Sequence, residues 1–353
     1  MKTAKKSEAL VCLIRDRVVA GRMKPGTRLP NRIDLFKELD VSPQTLQRAL
    51  DRLVLEGFVI PRGRAGTFVA DRPPHLNRVA IIFPDPEAIS RNRFFRALQM
   101  SAEGVASEVD RTLLTFQGID GYRESRGYER LADDVVRHRI AGMIFATNPS
   151  ALRGTPILDE PNIPRVAFAA TGMSNIPTVF PDFPQLISRA VQRISRDGGR
   201  RLGVLTHHQT SPTALEQMLG DISQFGMTTR REWQMGMAID APDWIQSNIK
   251  LLMSHPASER PDSLLILDDH LTEPVMTALG EIGMLGSKDL IIVSHNNFPL
   301  PLATEHPIIR IGFDAKTLVR KCFDLITAQR TSDEAFGESL MIPAIFEEEL
   351  HRS

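Results

Sequence analysis

The sequence predicts an α/β protein in two parts. A small head of three helices and a β-hairpin precedes a larger body in which strands and helices alternate. Three observations carry this reading. At 353 residues the chain is too long for one compact core. Its charge is unevenly shared: Lys plus Arg and Asp plus Glu are both 43 overall, yet residues 1–72 hold 15 basic and 8 acidic residues. Beyond residue 78, short apolar runs alternate with amphipathic stretches, the pattern of buried parallel strands covered by helices. The expected boundaries are a head at 1–71, a linker at 72–77 and a two-lobed body at 78–353.

In the head, Leu10, Val11, Ile14 and Val18 recur at helical spacing, and Gly21 closes that helix. Pro25-Gly26 marks a turn. Asn31 caps a short second helix that carries Ile33, Leu35, Phe36 and Leu39. A tight turn at Asp40-Val41 leads to Ser42, a good N-cap, and to Pro43, whose missing N–H costs nothing at the first helical position. The third helix runs to about Glu56 with Leu46, Ala49, Leu50, Leu53 and Val54 inward, and Gly57 stops it. Phe58-Val59-Ile60 and Thr67-Phe68-Val69 then flank a basic, glycine-rich tip as a hairpin.

Three helices followed by a basic hairpin make a winged helix-turn-helix. Positive surplus on this head, and negative surplus on the rest, predicts that the head alone meets a polyanion. The N-terminal end of the third helix can enter a DNA major groove, about 12 Å wide. Ser42, Gln44, Thr45 and Gln47 lie at or near that end, and Gln can bond adenine in bidentate fashion. Arg48 is placed for the backbone. Arg62, Gly63 and Arg64 form a wing tip that can reach phosphates or the minor groove, and Arg32 with the second helix's N-terminus can hold another phosphate. The stretch 21–70 resembles the GntR-type DNA-binding domain: a PG turn, LP before the second helix, VS-x-x-T opening the third, AL-x-x-L-x-x-EG along it and GTFV after the wing. That resemblance implies binding to double-stranded operator DNA. Where the family often carries Arg, this chain has Ile33, Pro43 and Gln47.

The segment 71–77, with its double proline, reads as a semi-rigid extended linker. The body opens on Val79–Phe83, a run suited to a buried strand, and the alternation continues to a last extended segment near Leu340–Ile345. One sheet ending near Phe168 and a second of similar size give two Rossmann-like lobes. Ligands in such sheets sit beyond the carboxyl ends of strands. Those ends supply Asp85, Asp268, Asp269, His295, Asn296 and Asn297.

The body resembles the effector domain of LacI/GalR-type repressors, which has the fold of periplasmic sugar-binding proteins. The matching pieces are RVAIIFPD, RHRIAGMIF, IPRVAF, VFPDF with GGRRLGVL after it, RPDSLLILDDHLTEPVMTALGEIG and DLIIVSHNN. The resemblance implies a small-molecule effector, a sugar or related metabolite, held by Asp85, Asp182, Trp244, Asp268 and Asn296. Carboxylates and amides suit hydroxyls, and an aromatic face suits the C–H side of a sugar. It also implies a homodimer that reads a palindrome. A GntR-type head on a LacI-type body is the combination of arabinose-type repressors. The chain departs from the LacI pattern at Ala214, where an Arg is frequent, and in the exchanged Asp and Asn at 268 and 296. The plainer alternative for each of these residues is structural: a helix cap for Asp182 and Asp268, core for Trp244.

No apolar run approaches the ~18 residues of a membrane span. Arg15, Asp16 and Arg17 interrupt any signal-peptide core, so the expected compartment is the cytoplasm. Cys12 and Cys322 are far apart and make neither a disulfide framework nor a zinc knuckle. No metalloprotease, phosphate-loop or nucleophile-elbow motif is present, and Gly198-Gly199 precedes a strand where a dinucleotide fingerprint must follow one. The expectation is a transcription regulator, a repressor, without cofactor, metal or catalytic residues. Two alternatives stand beside it: a body that only dimerises, and an enzyme with a DNA-binding head.

Overall fold

The structure is a computed structural model. It describes residues 2–39, 41–121, 125–169, 175–286, 290–301, 306–331 and 339–350, with backbone alone for 2–5 and 36–39. Asp40 therefore lies outside the described residues, as do the side chains of Phe36 and Leu39.

The head is built as its sequence pattern requires. Helices α1 (Lys2–Val19), α2 (Arg32–Leu39) and α3 (Pro43–Glu56) precede strands β1 (Val59–Pro61) and β2 (Thr67–Val69). Leu10, Val11, Ile14, Leu46, Leu53 and Phe58 are among the side chains of its single core. Asn31 Oδ1 accepts from Asp34 N at 2.9 Å, capping α2. Ser42 Oγ accepts from Thr45 N and caps α3, and Gly57 closes that helix in the left-handed conformation. Val54, expected to face inward, is 37% exposed, and Ile33 of α2 is 63% exposed. The core of so small a unit is already filled by α1 and β1. The β1–β2 hairpin gains a third edge from the chain before α2. Leu29 N donates to Thr67 O, and Val69 N to Thr27 O, both at 2.8 Å.

The linker differs from expectation. Pro74–Asn77 forms one helical turn, α4, with Pro74 at its first position and Leu76 N bonded to Pro73 O at 2.9 Å. Pro73 and Pro74 are buried. The proline pair therefore packs as structure and is not an extended spacer.

The body runs through β3 (Arg78–Ile82), α5 (Ala88–Arg91), α6 (Arg93–Glu108), β4 (Thr112–Phe116), α7 (Arg126–Val136), β5 (Gly142–Phe145), α8 (Pro156–Asp159), β6 (Arg165–Phe168) and β7 (Thr178–Pro181). Then follow α9 (Phe183–Arg196), β8 (Leu202–His207), α10 (Pro212–Leu219), β9 (Gln234–Met237), α11 (Pro242–Met253), β10 (Ser263–Ile266) and α12 (Thr272–Glu281). The last elements are β11 (Ile291–Phe298), β12 (Ile309–Asp314), α13 (Ala315–Thr331), β13 (Ser339–Ile342) and β14 (Ile345–Phe346). The chain divides into two compact units: 1–88, 102–178 and 322–338 make the first, and 89–101, 179–321 and 339–353 the second. The head thus shares a unit with the first lobe. In the first lobe β3 lies between β4 and β5, with β6 beyond β5, all parallel. In the second the order is β14-β12-β11-β10-β8-β9, parallel except for β14. Both sheets are apolar on both faces, as doubly wound sheets must be. None of the described helices is long and apolar enough to cross a membrane.

Candidate functional site

Two regions carry the expected site residues. On the head, Ser42 and Thr45 are committed to the helix start. Their hydroxyls lie 2.8 Å apart and Thr45 is buried. Gln47 donates from Nε2 to Asp51 Oδ1 at 2.6 Å, one turn along α3. Gln44 and Arg48, also one turn apart, are both exposed. The wing tip is a short 3-10 turn over Gly63–Ala65, with Gly63 and Gly66 at positive φ. Arg64 is exposed on it. Arg62 is tethered instead: its guanidinium reaches Asp71 at 3.0 Å and lies 4.8 Å over the Phe68 ring.

A groove of about 340 Å³ runs between the wing and α2, lined by Arg28, Asn31, Arg32, Gly63, Gly66 and Thr67, among others. Sequence reasoning missed Arg28. It sits in a segment that reads as a turn but is bridged to Phe68 as an added strand. A Cβ on Gly66 would stand 2.9 Å from Arg28 Nε, so the glycine makes room for the guanidinium. Two exposed cations on one groove, beside the capped start of α2, suit a phosphate backbone.

In the body, the first lobe places Asp85 exposed just after β3, its Oδ1 accepting from Glu87 N at 2.7 Å. A neighbouring cavity of about 100 Å³ at the ends of β3 and β5 is lined by Ile82, Pro84, Asp120, Phe145, Thr147 and Asn148, among others. Asp85 does not line it. Asp120 and Asn148 were not singled out by the sequence, because neither stands within an apolar run.

In the second lobe, Asp182 caps α9 through Gln185 N at 3.0 Å. Trp244 is 73% exposed on α11 and is not core. The richest grouping stands just beyond the carboxyl end of β10 and along the part of β11 that extends past it. Asp268 Oδ1 accepts from His270 N at 3.0 Å and lies 2.9 Å from His270 Nδ1. Burial pushes the Asp268 carboxyl up, but the His270 hydrogen bonds outweigh it and hold it below the usual carboxylate range. His270 is raised in turn, chiefly by Asp268 and against its own burial. Asp269 is buried between Arg93 Nε at 3.0 Å and Asn297 Nδ2 at 2.9 Å. His295 is buried on the Phe183 and Phe313 rings, 5.5 and 5.8 Å away. Neither of its ring nitrogens has a hydrogen-bond partner among the described residues, and burial lowers its pKa.

Asn296, like its neighbours His295 and Asn297, is buried within β11. It was expected at a strand end, but β11 runs on to Phe298 and pairs with β12 as far as Asp314. Asn296 is fully buried mid-strand, donating to Ser294 O at 3.1 Å. The cause is Gly312: a Cβ there would lie 1.7 Å from Asn296 O, so only glycine lets the two strands close this far.

Residues 6–69 match the family described as bacterial regulatory proteins, gntR family. The arabinose metabolism transcriptional repressor of Halalkalibacterium halodurans is 22% identical across 93% of this chain and 91% of its own length. Among solved structures, a regulatory protein of the LacI family from Chloroflexus aggregans matches with a TM-score of 0.60 at 17% identity, over 76% of this chain and 96% of that one. The transcriptional regulator CelR in complex with cellobiose matches with a TM-score of 0.56 at 15% identity, over 87% of this chain and 90% of that one. The chain thus carries a gntR-type winged helix-turn-helix head on a body with the fold of LacI-type regulators, which is the build of a transcription regulator.

Proposed function

We propose that this regulator is a cytoplasmic homodimeric repressor that binds operator DNA through its heads and is released by a small polyhydroxylated effector, a sugar or a close relative. The observation that carries the reading is the pairing of two sites of opposite character. The head offers Arg28, Arg32 and Arg64 beside the exposed Gln44 and Arg48 of α3. The second lobe gathers Asp268, Asp269, His270, Asn297 and the unpartnered His295 where open α/β sheets hold ligands. A neutral buried imidazole offers one donor and one acceptor, which is what a hydroxyl takes. The relatives named for arabinose metabolism and the cellobiose complex support a sugar. In this reading Gln44 reads bases, the arginines hold phosphates, and Asp268 with His295 meets the effector. The body performs no catalysis.

Fluorescence anisotropy on operator and random duplexes, combined with calorimetry against a panel of pentoses, hexoses and disaccharides, tests this. Tight sequence-dependent binding, weakened by one sugar, is expected. A second reading, in which the body only dimerises, is favoured by the sealed Asn296. Silence across the whole sugar panel would support it.

A further inference from the structure

Glu56 ends the recognition helix α3 and is only 6% exposed. Its carboxylate collects four guanidinium groups. Two belong to the head: Arg15 Nη1 and Arg52 Nε, each at 3.1 Å. Two belong to the body: Arg137 and Arg139, each with Nη1 at 3.7 Å. Arg137 also donates to Glu8 on α1 at 2.6 Å. Asp133 faces both body arginines, and Asp134 pairs with Arg139 as well, at 2.6 Å. The two arginines stand in the turn between α7 and β5, so their backbone is fixed by the first lobe.

A second set of contacts backs the first. His75 of the linker turn stacks on Phe58, the residue after the recognition helix's closing glycine. Arg330 of α13 donates to His75 O at 2.6 Å and, through Nε, to Ala141 O at 3.0 Å. Arg72 pairs with Asp110. The head is held at three points: a shared carboxylate, a stacked ring and a bridged carbonyl. The body's arginines are partly exposed and stand 3.7 Å from Glu56, so each contact across the joint is weak and together they form a joint that can open.

We propose that the Arg137–Arg139 turn of the body is the docking seat of the recognition helix, and that its grip on Glu8 and Glu56 fixes the direction in which the head presents α3 to DNA. The reading of the head as a DNA-binding unit is assumed here, and the test separates the two claims. An arginine pair is suited to the task. Planar guanidiniums can share one carboxylate with partners on both sides, where lysines meet it as point charges. In a two-headed regulator, fixed heads admit one half-site spacing, and loosened heads admit several.

Spin labels at Lys24→Cys on the head and Ser107→Cys on the first lobe, in a Cys12→Ser background, read the joint directly. One narrow distance is expected, and Arg137→Glu with Arg139→Glu should broaden it while the circular dichroism spectrum stays the same. On operators with half-sites moved apart by about two base pairs, the unaltered chain should lose roughly tenfold in affinity and the Glu variant less than about threefold. Arg137→Lys with Arg139→Lys should recover part of the discrimination. An equally narrow distance in the folded Glu variant overturns the proposal. Should that variant unfold, Glu8→Gln is read in its place, and an unchanged distance there overturns it equally. If the unaltered chain binds no DNA, the reading of the head fails, while the distance measurement still decides the docking.

Discussion

The His75 imidazole lies parallel to the Phe58 ring, with centroids 6.0 Å apart and planes 10° from coplanar. One ring belongs to the linker and the other to the head, so the pair ties the helical turn of the linker to the core behind the recognition helix. The His75 Nδ1 is buried without a partner. A proton placed on this ring would have to be carried without solvent on one side.

That burial, followed by the charges of Arg330 and His138, lowers the His75 pKa from 6.5 to about 4. A histidine kept neutral in the folded chain contributes stability in full above the unfolded pKa. That stability is lost as pH falls from 6.5 towards 4, and nothing more is lost below. The ring is only partly buried, so solvent reduces the contribution to about 1–2 kcal/mol. Thermal melts of the unaltered chain and of His75→Phe, compared at pH 7 and pH 4.5, should show a smaller acid loss for the variant. Equal losses would remove His75 from the account.

Wing and helix should behave differently on DNA. Arg28→Ala and Arg64→Ala should each weaken specific and random DNA alike and reduce the slope of log affinity against log salt by about one. Arg62→Ala should act less through charge, because its guanidinium is already shared with Asp71 and Phe68. Gln44→Ala should instead reduce preference between sequences by about 1–3 kcal/mol. Gln47→Ala should do less, because its amide is held by Asp51. Binding curves over a salt series on two duplexes check the division, and identical profiles for Arg64→Ala and Gln44→Ala would refute it.

Much of this was legible in the sequence, and the omissions have physical causes. The caps at Asn31 and Ser42 and the stop at Gly57 are local chemistry, readable from single residues. The alternation of the body follows from burial on both faces of each sheet. What depends on distant chain was not readable. Arg28 joins the site only because its segment is zipped to β2. Asn296 leaves it because Gly312, sixteen residues on, admits a longer strand pair. Trp244 has the composition of a sugar platform, but α11 turns it to solvent. Arg137 and Arg139 meet the head only because the fold sets α3 against their turn, a distant pairing that no local pattern carries.

Gly312→Ala should be among the most damaging single changes in the second lobe. Its Cβ would overlap the Asn296 carbonyl oxygen at 1.7 Å, and both partners are backbone, so neither can rotate away. Opening the β11–β12 pair is the remaining relief, at a cost of about 3 kcal/mol or more. Urea unfolding should show the midpoint falling accordingly, whereas Gly154→Ala, whose Cβ meets nothing within 4 Å, should lose only what its positive φ demands. A midpoint shift no larger than that of Gly154→Ala would mean that the two strands separate easily.

Asp268 and His295 offer the cleanest test of the effector site, because neither is needed to hold the sheet. Among the described residues Asp268 bonds only within its own turn, and the His295 ring nitrogens have no hydrogen-bond partner. Asp268→Asn keeps the shape of the turn and removes the charge, and His295→Phe keeps the ring packing and removes both polar atoms. Together they should abolish the drop in operator affinity that the effector causes, while affinity without effector stays within about threefold of the unaltered chain. Linkage makes the loss reciprocal: if effector and operator alter each other's binding by the usual ~5–150-fold, that factor should fall to one in both directions. Calorimetric titration of the effector with and without bound operator, set beside anisotropy with and without effector, measures the two factors independently. A factor that survives in the double variant would move the effector site out of this lobe, towards the cavity that Asp120 and Asn148 line in the first.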